Sequence, residues 1–74
     1  MTIIRTLREE RHVSQRDLAR SANLHRSVLS KLETGADKAG QCVRLRLSTA
    51  LGVEPAALFD VDGWPLLAEE VANV

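Results

Sequence analysis

The sequence has no tyrosine, one phenylalanine, one tryptophan and a single cysteine, Cys42, in 74 residues. One thiol cannot form an internal disulfide, so the cross-links that hold many small secreted domains together are excluded. One cysteine and two histidines, His12 and His25, lack any paired-ligand spacing. A structural zinc site is therefore not expected, and no other cofactor is called for. No apolar run approaches the roughly 20 residues of a membrane span. The segment Met1–Arg5 leads into no apolar signal core, so a cytoplasmic protein that avoids membranes is expected. Polar residues at convergent spacing are missing too, which argues for a binding protein and against an enzyme.

Net charge is also lacking: ten Lys and Arg stand against ten Asp and Glu. Nucleic-acid partners usually require a basic excess, so the balance first reads against them. The distribution reverses that reading. All ten basic residues precede Glu54, together with only Glu9, Glu10, Asp17, Glu33 and Asp37 among the acids. Residues 1–53 thus carry +5 and residues 54–74 carry −5. Asymmetry of this kind between two segments points to nucleic acid, with the acidic part turned away from phosphate.

What is present is mostly helical signal. Ile3, Ile4 and Leu7 recur on one face of a first helix over 3–12. Ser14, with Asp17 three residues on, marks the start of a second helix, about 15–22. Asn23 suits the left-handed residue that closes it. A third helix over 26–34 follows after a short turn, with Gly35 at its end. Two short helices joined so closely have helix-turn-helix geometry. Residues 41–51 alternate like a strand at Val43–Ser48, yet Val43, Leu47, Ala50 and Leu51 share a helical face and Gly52 follows; the helix is favoured. Glu54–Phe59 gives a fifth helix with Pro55 in its first turn. Asp60–Gly63 reads as a turn, and Pro65 opens a last helix to about Asn73, with Trp64, Leu67, Ala68 and Val71 on one face.

The blocks Ile4-Arg5-x-Leu7-Arg8-x-x-Arg11-x-x-Ser14-Gln15-x-x-Leu18-Ala19, then Leu24, then Leu29-Ser30-Lys31-Leu32-Glu33-x-Gly35, then Ala50-Leu51-Gly52-Val53 resemble the XRE family of lambda-repressor-like and Cro-like helix-turn-helix domains. The resemblance implies an all-α, five-helix DNA-binding domain over 1–59, here with an additional short C-terminal helix in an acidic segment, 60–74. It also implies that the third helix enters the major groove of double-stranded DNA.

Carried onto this motif, the base-reading positions are Arg26, Ser27 and Lys31. A bidentate Arg26–guanine pair would give about 1–3 kcal/mol of discrimination. The resemblance makes Gln15 a phosphate ligand that also braces the third helix. Arg16, His25, Ser30, Thr34 and Lys38 are the further candidates for the DNA backbone. Arg8 and Glu33 are expected to form a structural ion pair.

A short domain reads few base pairs, so a homodimer on a two-fold operator is expected, with Leu45, Leu58, Phe59, Trp64, Leu67 and Val71 as its interface. The alternative is that Trp64 and Leu67 fold back to complete the monomer's own core. The leading functional expectation is a transcriptional repressor. An antitoxin that binds its toxin through the C-terminal segment is the competing one, and a protein-interaction module without DNA binding is a third.

Overall fold

A computed structural model describes residues 1–68. Among these residues it contains four α-helices, α1 (Ile3–Glu10), α2 (Gln15–Ser21), α3 (Arg26–Thr34) and α4 (Gln41–Leu51). A single 3-10 turn follows at Pro55–Ala57.

Short helices depend on their ends, because the terminal backbone groups have no partner within the helix. Thr2 caps α1, its Oγ1 accepting from the Arg5 amide, and Ser14 Oγ accepts from the Asp17 amide at the start of α2. All four helices close with the same pair of hydrogen bonds around one left-handed residue. Those residues are His12, Asn23, Gly35 and Gly52, with φ of 57, 56, 76 and 69°. At α2, for example, the Asn23 amide donates to the Arg20 carbonyl and the Leu24 amide to the Ala19 carbonyl (3.1 and 2.8 Å).

The core takes Ile4 from α1, Leu18 and Ala19 from α2, Leu29 and Leu32 from α3, and Leu47 and Leu51 from α4. Wholly buried aliphatic side chains such as Ile4, Leu29 and Leu47 contribute roughly 1.5–3 kcal/mol each. The ambiguous segment 41–51 is helix. Leu45, on its outer side, is 60% exposed. Cys42 lies exposed on α4.

Beyond α4 the structure departs from expectation. The fifth helix is only the 3-10 turn, which directs the next two side chains inward. Leu58 and Phe59, expected at a dimer interface, are buried in the core of the single chain at 0% and 3% exposure. That corrects their assignment: side chains already enclosed by their own chain cannot also pack against a second one.

The last helix does not begin at Pro65. Residues 65–67 run extended between two neighbours, with Pro65 antiparallel to Phe59 and Leu67 antiparallel to Thr2. The Leu66 amide donates to the Leu58 carbonyl (2.8 Å), the Ile3 amide to the Leu66 carbonyl (2.9 Å), and the Ala68 amide to the Met1 carbonyl (2.9 Å). The first and last described residues are therefore zipped together. This pairing satisfies the Ile3 amide, which has no acceptor inside α1. The remainder of the expected helix, including the candidate interface residue Val71, lies outside the described residues. Trp64 and Leu67 are 43% and 37% exposed, so neither is enclosed in the core.

Candidate nucleic-acid interface

Helices α2 and α3 form the helix-turn-helix, joined through Ala22–His25 with Asn23 supplying the left-handed turn. Leu18, Ala19 and Ala22 bury one side of α2, and Leu29 and Leu32 bury the matching side of α3. The opposite side of α3 faces outward: Arg26, Ser27 and Lys31 are exposed and Ser30 is half-buried. Burial of one stripe thus fixes which side chains the helix displays.

The orientation of α3 is further set by a polar network around Glu33. Its carboxylate is buried, with a side-chain exposure of 1% against 13% for Arg8. Arg8 grips it with two bonds, Nε to Oε2 at 2.6 Å and Nη2 to Oε1 at 3.1 Å. The third guanidinium nitrogen, Nη1, donates to the Val13 carbonyl at 2.9 Å, in the link between α1 and α2. Gln15 Nε2 donates to Glu33 Oε1 at 3.0 Å. The Glu33 carbonyl accepts from the buried Thr2 hydroxyl at 2.8 Å. One residue of α3 is thereby tied to α1, to the link after it and to the start of α2. A buried charge is tolerable only when its partners are this complete.

Gln15 is half-buried and spends one amide proton on Glu33, which leaves the second for an anion outside. Arg16 is exposed in the first turn of α2, and Lys38 is exposed in the loop 36–40. His25 occupies the N-cap position of α3, but its side chain makes no cap bond and is exposed. Thr34 is the exception among the expected phosphate ligands. Its hydroxyl donates to the Ser30 and Lys31 carbonyls (3.2 and 3.1 Å). A phosphate oxygen only accepts, so Thr34 has no proton to offer it in this geometry. Among the described residues, none of Arg16, Arg26, Lys31 or Lys38 is ion-paired.

Lys31 and Lys38 border one shallow groove of about 120 Å³, with Ser27 and Val28 on the α3 side and Ala39 and Gly40 on the loop side. The loop basic residue therefore lies beside the outward face of α3.

Two contributors were not anticipated. Thr2 stands immediately before the apolar-periodic Ile3, a cap signal that was available. Arg11, at the end of α1, donates to the Leu51 carbonyl. That contact puts a cation at the negative end of α4 and has no sequence signature. Among the described residues no helix is long and apolar enough to cross a membrane, and no group of three His, Cys, Asp or Glu could hold a metal ion.

A family model described as helix-turn-helix matches residues 4–58. No curated protein and no solved structure matches the chain.

Proposed function

Because the chain belongs to the XRE-type helix-turn-helix family of DNA-binding transcription regulators, we propose that it is a sequence-specific repressor that binds a two-fold operator as a dimer. The observation that carries this reading is the outward display of Arg26, Ser27 and Lys31 on a helix whose inner side is locked by Leu29, Leu32 and the Arg8–Glu33 pair. Arg26 and Ser27, in the first turn of α3, read base edges, and Lys31 reads a guanine or holds a phosphate. Gln15, Arg16, His25, Ser30 and Lys38 hold the backbone on either side. The reading implies a cytoplasmic location.

Dimerisation rests on Leu45, Trp64 and Leu67, three of the large apolar side chains left exposed on α4 and in the segment after Phe59, with Val71 beyond the described residues. A two-fold pair would present its recognition helices about 34 Å apart. Selection of bound duplexes from random DNA at two salt concentrations tests the whole reading. A symmetric site with half-sites about one helical turn apart is expected. Recovery of no enriched sequence, or equal binding by Arg26→Ala/Lys31→Ala, would overturn it. A single monomer mass in sedimentation at high micromolar protein would remove the dimer.

Exposed Val61, Trp64 and Leu67 lie outside the matched residues 4–58 and favour a second reading, an antitoxin that binds a toxin through this segment. A stable complex with the product of the adjacent gene would select it.

A further inference from the structure

The segment after Leu58 lies outside the family match, yet it touches the interface from behind. The buried Ala39 amide, in the loop that carries Lys38, donates to the Gly63 carbonyl at 2.9 Å. Gly63 has φ 96°, a conformation that L side chains rarely adopt. A Cβ at this position would overlap the Ala39 carbonyl oxygen. The clash is with backbone on both sides, so it could be relieved only by moving the loop away from the turn.

The turn itself is internally fixed. The Gly63 amide donates to the Asp60 carbonyl at 3.0 Å. Asp60 Oδ1 accepts from the Asp62 and Trp64 amides at 3.0 and 2.9 Å. Lys38 and Ala39 both border the groove that Lys31 and Ser27 line on α3. The height of Lys38 beside the recognition helix is therefore set by how closely residue 63 lets Ala39 approach.

Resting on the DNA-binding reading above, we propose that Gly63 is a positioning residue for the DNA backbone: the 60–63 turn seats the 36–40 loop so that Lys38 meets a phosphate while α3 is in the groove. Gly63 touches no DNA itself. A substitution there releases one phosphate contact without altering the charge of the protein.

The test is binding of the full chain to a fluorescent mixed-sequence duplex across a salt series, read as affinity and as the slope against salt. Gly63→Ala is expected to bind about three- to tenfold more weakly, with a slope shallower by about 0.9, the value for one phosphate. Lys38→Ala should do the same. The double variant should bind no worse than Lys38→Ala alone, because both changes remove one contact. A general loss of structure would instead add to the lysine effect.

Should Gly63→Ala fail to fold, the exposed Asp60 supplies the second comparison. Asp60→Asn and Asp60→Ala are equally neutral, but only Asn keeps the Oδ1 acceptor. Asp60→Ala is then expected to bind more weakly than Asp60→Asn. Folded Gly63→Ala with wild-type affinity and slope overturns the proposal, as does full additivity with Lys38→Ala or equality of the two Asp60 variants. Wild-type protein without salt-dependent DNA binding overturns the DNA reading itself, which is a separate result.

Discussion

Gln15 Nε2 sits 3.0 Å from Glu33 Oε1, on the same carboxylate that Arg8 holds with two bonds. The start of α2 and the end of α3 are thus joined through one buried charge. A side chain proposed to touch DNA and the pair that sets the helix angle belong to a single network.

Removing either member of the ion pair leaves the other charge buried without its partner. Arg8→Ala and Glu33→Ala are each expected to lose about 3–5 kcal/mol of stability. Urea denaturation measures this, and the double variant should lose much less than the sum of the two. Arg8→Lys should recover only part, since an ammonium cannot bond both carboxylate oxygens and the Val13 carbonyl in the same fork geometry.

Gln15→Ala separates two roles. Its stability loss is expected to be small, about 1 kcal/mol, because Arg8 still satisfies Glu33. Its loss in DNA affinity should exceed that figure if the second amide proton binds phosphate. Parallel denaturation and DNA titration give both numbers.

Leu58→Ala and Phe59→Ala should unfold the single chain and not dissociate a dimer. Losses of about 2–5 and 3–5 kcal/mol are expected for deleting side chains this deeply buried. The loss relative to wild type should be the same at every protein concentration. A loss that grows as concentration rises would assign these residues to an interface after all.

His12 is exposed and holds φ 57°, a conformation unfavourable for a side chain of its kind. His12→Gly is expected to stabilise the fold by roughly 0.5–1 kcal/mol, less any gain in unfolded-state freedom. Thermal melting of the two proteins side by side measures the difference.

The parts of this fold that are legible in the sequence are those with local causes. Ser14 with Asp17, Asn23, Gly35 and Gly52 act on backbone groups a few residues away, so they announce the ends of α2, α3 and α4 directly. The outward set Arg26, Ser27 and Lys31 follows from the apolar spacing of Leu29 and Leu32 on the same helix. Trp64–Ala68 carried no such information. Its residues are apolar at nearly every position, which fits a helix or an extended segment equally well. The choice is made by carbonyl and amide groups of Met1–Ile3, at the other end of the chain. Leu58 and Phe59 are illegible for a related reason: a short apolar pair after a three-residue turn has no periodicity to show which way it faces. Gly63 reads as an ordinary turn glycine until Ala39 is seen against it.

The pairing of Ile3 with Leu66 also bears on the order in which the molecule is made. Residues 1–3 leave the ribosome well before their backbone partners at 66–68. Helices α1 to α3 pack on one another and each closes on its own left-handed residue, so they can form before the zipper does. The zipper must wait for residues 66–68, and closing it spans the stretch from residue 3 to residue 66, a long loop with a correspondingly high entropy cost. Loop entropy therefore places it after the helices, and it brings with it the turn that seats the loop beside α3. A nascent or truncated chain ending before residue 63 would have the recognition helix in place and lack the strap behind Lys38.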